Sequence, residues 1–202
     1  MRALLSTVAV GLLLAACGPQ TSRPADSGAA TTTEPPRSAA VVGPILITFS
    51  ETGAGEINGA TRLSVRSVTA YFPDATIRRA PSDGAEGQII TVRRPDGLAL
   101  DLHPGADPER VGQILGRAGP VVGPLGEEIG ASWGTLGLDL EGCGPGEAEW
   151  AQALVCYRPG QPKLGYILDL AGYEGPVDET LDLEFLDQGA RLSAFVWTAE
   201  TV

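Results

Sequence analysis

The amino-acid sequence predicts an α+β domain built on a mostly antiparallel β-sheet with one or two short helices. Three observations carry that expectation. Short apolar runs recur after residue 44, each bounded by Gly, Pro, Asn or Asp. Two of them flank Pro95-Asp96-Gly97, a turn sequence suited to a hairpin. Only one segment, Ser64 to Phe72, has a clear helical spacing of apolar residues.

Taken in order, Ile45-Leu46-Ile47-Thr48-Phe49 is a β-rich run that stops at the glycine cluster TGAGEING, residues 52–59. Val65, Val68 and Phe72 then repeat at helical spacing, with Ser64 placed to cap the helix and Pro73 to stop it. Gly87 to Arg94 and Leu98 to Leu102 form the two arms of the hairpin, the second with Leu98, Leu100 and Leu102 on one face. The segment DPERVGQILG, residues 107–116, is ambiguous. Asp-Pro reads as a helix start, yet Gly112 and Gly116 would each cost a helix interior about 1 kcal/mol. Ala153 to Arg158, Leu164 to Leu170 and Arg191 to Thr198 read as strands, and Leu181, Leu183 and Phe185, alternating with Asp182 and Glu184, suggest a further amphipathic one.

Before this domain lie two segments of different character. Residues 1–16 read as a signal peptide: Arg2 is followed by an uncharged run to Ala16, too short for the ~20 apolar residues of a bilayer span. The run ends in Leu14-Ala15-Ala16-Cys17, which resembles a bacterial lipobox and implies diacylglyceryl on the Cys17 thiol, cleavage after Ala16 and acylation of the new amine. Each buried methylene contributes ~0.8 kcal/mol, so two or three acyl chains hold firmly. Gly18 in place of Asp points to the periplasmic leaflet of the outer membrane. Residues 17–40 then form a tether rich in Pro, Thr, Ala and Ser, without large apolar side chains to drive ordering. Its root-mean-square reach is about 25 Å. Residues 41–202 are expected to form one periplasmic domain.

With Cys17 taken by lipid, Cys143 and Cys156 are left as a pair in an oxidising compartment. A disulfide between them would stabilise the fold by roughly 3 kcal/mol. Zinc is not expected, because His103 is the one histidine and a four-ligand site cannot be completed. The formal charge of −11, lowered by one more unit when Arg2 leaves with the leader, argues against nucleic acid as a partner. No cofactor is expected.

The motifs that could carry chemistry are incomplete. Gly130-Ala131-Ser132-Trp133-Gly134 matches the G-x-S-x-G nucleophile elbow, but that fold needs its histidine after the serine, and His103 precedes Ser132. A small serine hydrolase using Ser132 is the alternative from another functional class; the simpler expectation is that Trp133 anchors a short helix in the core. Gly53 to Gly59 has one residue too many for a dinucleotide loop. Residues 169–187 hold seven carboxylates and no cation, a solvated face or a site for calcium or a basic partner, without the EF-hand spacing. His103 is expected at the surface or in a loop, and Trp133, Trp150 and Trp197 in the core.

The succession TGAGEINGATRLSVRSVTAYFPD, IGASWGTLGLDLEGCGP, ALVCYRPG and LGYILDL, closed by a strand bearing Trp197, resembles the RpoE-regulated lipoprotein family, whose domain has no assigned activity. The resemblance implies a periplasm-facing lipoprotein made under envelope stress, with no catalytic residues to carry over. It also implies that residues 107–116 are a strand. The expected function is thus a non-enzymatic accessory or binding protein, with its envelope partner unassigned.

Overall fold

The computed structural model describes residues 45–82, 87–175, 177 and 181–199, all within the unit Val41–Val202. Cys17, the leader and the tether lie outside the described residues. The elements in chain order are β1 (Ile47–Ser50), β2 (Gly53–Ala54), α1 (Val65–Thr69), β3 (Thr76–Pro81), β4 (Gln88–Arg93), β5 (Ala99–Pro104), β6 (Val111–Ala118) and β7 (Val121–Val122). There follow α2 (Trp133–Leu136), β8 (Cys143–Pro145), β9 (Ala153–Arg158), β10 (Gln161–Asp169), α3 (Leu183–Gly189) and β11 (Arg191–Thr198). The fold is α+β, as expected, with three short helices among the described residues.

Eight strands make one antiparallel sheet in the order β3-β4-β5-β6-β11-β10-β9-β8, while β2-β1-β7 form a small second sheet. Alternation along each strand sends successive side chains to opposite faces. On the covered face, Leu164, Tyr166 and Leu168 of β10 and Phe195 and Trp197 of β11 meet Phe49 of β1, Val68 of α1, Leu136 of α2 and Leu186 of α3 in one core. Phe49 stacks on Phe195 at 5.5 Å, and Tyr166 meets the same ring edge-on at 5.5 Å. The open face carries a smaller apolar cluster of Leu115, Ala153, Ile167, Ala194 and Val196.

Local rules succeed where nothing distant overrides them. Ser64 caps α1, its hydroxyl accepting from Ser67 N–H at 3.1 Å. The β4–β5 hairpin forms around Pro95-Asp96-Gly97, with Ile90 opposite Leu102. Residues 111–118 are a strand despite the helix-start signal, and the glycines show why. A Cβ on Gly112 would come within 2.1 Å of Gly105 Cα, and one on Gly116 within 2.6 Å of the Phe49 ring. Gly112 allows the close approach of the β5–β6 connection, and Gly116 makes room for the Phe49 ring packed on the covered face. The segment around Leu183 departs from the strand expectation: Asp182 accepts from Glu184 N–H at 2.9 Å and starts α3, which buries Leu186 and leaves Leu183 exposed. Among the described residues no helix is long and apolar enough to cross a membrane.

Candidate functional site

Two clusters of polar side chains flank the large sheet, one on each face. On the covered face Glu127, 8 % exposed, accepts from Arg158 Nη2 at 2.8 Å and from the Tyr166 hydroxyl at 3.3 Å, and its other oxygen accepts from Leu125 N–H at 2.8 Å. Arg158 Nε donates to Tyr166 Oη at 3.1 Å, and Arg158 Nη2 also reaches the Leu136 carbonyl. Burial raises the Tyr166 pKa, against the lowering effect of its bond from Arg158. A buried charge pair is tolerated when its hydrogen bonds are met, and these are. The cluster ties β9, β10 and α2 together and offers no free group for chemistry.

The open face is built differently. Asp101 of β5, 6 % exposed, accepts from Arg93 Nη2 at 2.7 Å and forms an ion pair with Arg117 Nε at 3.1 Å. Arg117 also pairs with Glu149 at 3.1 Å, and its guanidinium lies 4.8 Å above the Trp150 ring. A 3₁₀ turn, Ala148–Trp150, is thereby held over the small cluster of the open face. At the other end of the same segment Cys143 and Cys156 face each other across β8 and β9 and are disulfide-bonded. The wall from Cys143 to Trp150 is fixed at both ends.

Between this wall and the sheet runs a groove of about 640 Å³. Its floor is apolar, from Val155, Ile167 and Val196, with Tyr157 beside them. Register explains the convergence: Val155, Ile167 and Ala194 are successive partners across three strands, as are Gly165, Val196 and Leu115. His103 and Gln113 are likewise paired across β5 and β6 at one end of the groove. Glu141 and Glu147 stand on the side of the wall. The volume is in the range of small-molecule sites.

His103 is not the surface residue expected. It lies on β5, half-buried, with Nε2 enclosed and without a hydrogen-bond partner among the described residues; Ser82 Oγ, which also lines the groove, is in the same condition. Burial pushes the His103 pKa down, outweighing the opposite pull of Asp101 and Glu149, and Arg117 lowers it further. Burial and the Glu147 carboxylate raise the Tyr157 pKa.

The other sequence candidates fall elsewhere. Ser132 precedes α2, whose Trp133 and Leu136 lie in the core of the covered face, and its hydroxyl is 2.9 Å from Thr135 Oγ1. His103 is on the open face, so the two are not brought together. The TGAGEING segment forms β2 and its return turn, with Ala54 and Ile57 buried and the Trp197 indole N–H donating to the Glu51 carbonyl nearby at 3.0 Å. Of the acidic stretch, Asp178 and Glu179 lie outside the described residues; among the described ones no three candidate ligands gather as a metal site. Trp133 and Trp197 are core residues, whereas Trp150 forms part of the groove wall. Sequence reasoning missed the groove residues Gln113, Tyr157 and Glu149, and the Glu127–Arg158 pair.

No protein-family model matches the chain, and no curated protein matches it. Among solved structures, the chain is similar to the crystal structure of the uncharacterized protein YfeY from Escherichia coli, with a TM-score of 0.59 and 17% sequence identity over 76% of this chain and 99% of that one. At that identity the likeness establishes a common fold.

Proposed function

We propose that this chain is a lipid-anchored, periplasm-facing envelope protein that binds its ligand without transforming it, and that the open-face groove is the binding site. The observation that carries the reading is the groove itself: an apolar floor, a wall pinned at both ends, and two enclosed polar atoms, His103 Nε2 and Ser82 Oγ, without partners. Such atoms cost about 1–3 kcal/mol each when left unpaired, a cost that a ligand polar group relieves if binding brings the two side chains round to face it. Glu141 and Glu147 at the groove favour a ligand with an apolar body and a neutral or cationic head. The absence of any contact between Ser132 and His103 supports binding over serine hydrolysis.

The anchoring reading rests on the lipobox at Cys17, the outer-membrane address on Gly18, and the envelope-stress role on the resemblance described above. Two measurements test the proposal. The mass of the native N-terminal peptide should show an acylated Cys17, and Cys17→Ser should release the chain into the soluble fraction; a bare Cys17 in the native product removes the anchor. The neutral fluorophore N-phenyl-1-naphthylamine should bind saturably to the intact chain, and Val155→Trp, which fills the floor, should abolish that binding. Uptake unchanged by Val155→Trp, or no uptake at all, rules out the groove.

A further inference from the structure

The arginines of the domain are divided in a way that the acidic composition makes informative. Arg93, Arg94, Arg110, Arg117 and Arg158 each have a carboxylate partner, and Arg191 donates to the carbonyls of Ala190 and Gln188. Arg62, Arg66, Arg78 and Arg79 have no ion pair among the described residues; Arg79 alone reaches a neutral group, Gln88 Oε1, at 3.4 Å. These four lie within one short stretch that includes α1 and β3, where Asp74 is the only acid between residues 61 and 82. In a chain with 25 acidic residues against 14 basic ones, a run of cations left without carboxylates is a local exception.

Two of the four, Arg62 and Arg79, lie at a concavity. Arg62, Ser64, Arg79 and Gln88 line a second pocket of about 540 Å³ at the β3 edge of the large sheet, away from the groove residues of β9, β10 and β11. Its lining includes two arginines, the carboxamide-bearing Gln88 and a single acidic residue, Glu109, while the Ser64 hydroxyl beside them is taken by the cap of α1. Guanidinium groups match the oxygens of phosphate through paired N–H donors. The field of the whole molecule is negative, which disfavours a polyanion such as nucleic acid. At physiological ionic strength that field is screened beyond about 8 Å, so a compact anion at the pocket feels mainly the two arginines and Glu109.

We propose that this pocket binds a compact phosphate-bearing anion, with Arg62 and Arg79 as its two charge contacts, the Gln88 carboxamide as a neutral hydrogen-bonding group, and Glu109 as the group that limits affinity. The pocket shares no lining residue with the groove, although its Pro104 follows the groove's His103 and its Gly87 carbonyl accepts from Ser82 N–H at 3.2 Å. A phospholipid headgroup and a soluble phosphoryl compound offer the same chemistry.

The test uses the full lipidated chain in neutral detergent micelles, with inorganic pyrophosphate titrated by calorimetry. Binding should weaken about tenfold in Arg62→Gln and again in Arg79→Gln, and tighten several-fold in Glu109→Gln. That opposite response separates a charge site from a loss of folding, since all three positions are at the surface. Micelles doped with phosphatidylglycerol should compete with pyrophosphate if the source is lipid; undiminished pyrophosphate binding in them assigns a soluble ligand, and either result supports the anion site. No heat up to ten millimolar pyrophosphate, or an affinity that the double Arg62→Gln, Arg79→Gln variant leaves unchanged, overturns it.

Discussion

The two faces of the eight-stranded sheet use similar side chains to different ends. On the covered face the chain supplies its own lid: β1, β2, β7 and the three helices bury Phe49, Phe195, Tyr166 and Trp197, and both oxygens of Glu127, the Tyr166 hydroxyl, and Nε and Nη2 of Arg158 are hydrogen-bonded. On the open face the cluster is small, its five members buried under little more than one 3₁₀ turn and its indole, and the ion network stays partly in water, with Arg93 and Arg117 side chains 45% and 35% exposed. Stability is concentrated where packing is closed. Room for a ligand is left where it is not.

Substitutions across the sheet sharpen this contrast. The largest effect should come from Phe195→Ala, which empties the stack between Phe49 and Tyr166 and should cost about 3–5 kcal/mol by chemical denaturation; its open-face neighbour Val196→Ala should cost about 1.5 kcal/mol, from ~0.8 kcal/mol per methylene. Equal losses would break the contrast. Nearly as large is Arg158→Ala, expected at about 3–5 kcal/mol because it strands the buried Glu127 carboxylate. Asp101→Ala, whose arginine partners reach solvent, should cost about 1 kcal/mol.

Replacing both Cys143 and Cys156 by serine should remove roughly 3 kcal/mol and, because the groove wall is tied at that end, should weaken N-phenyl-1-naphthylamine binding beyond what the stability loss alone predicts. Full uptake by the reduced wall would show that Arg117 and Trp150 suffice to hold it. The smallest effect belongs to His103. Its folded pKa is depressed, so the unfolded chain takes up the proton first as the pH falls. Its contribution should be complete above the unfolded value, near 6.5, and decline as pH drops through the lower folded value. The urea midpoint should therefore fall less between pH 7.5 and pH 5 in His103→Gln than in the parent chain.

What the sequence disclosed, and what it concealed, follows from where each signal originates. The β4–β5 hairpin is legible because its turn and its alternation are local, and α1 because Ser64, Val68 and Pro73 lie within one short window. The identity of β6 is not local: Gly112 and Gly116 answer to Gly105 and Phe49, which no helix propensity reports. The alternation of Leu181, Leu183 and Phe185 misleads because Asp182 acts as a helix cap rather than as the outward face of a strand. Residues of β3, TIRRAP, carry too little apolar character to announce a strand. The groove is assembled from β5, β6, β9, β10, β11 and the wall before β9, and no window of sequence contains it. The pairing of Cys143 with Cys156 was accessible by counting, once Cys17 was set aside.

The position of β11 has a consequence for biogenesis. Among the described strands it comes last in the chain, yet it is seated between β6 and β10 and joins the two halves of the sheet. Until residues 191–198 emerge, β3-β4-β5-β6 and β10-β9-β8 have no strand between them, and Phe49 lacks the ring it stacks on. The eight-stranded sheet therefore cannot close until residues 191–198 are available to pair, so its two halves depend on one late segment for their union.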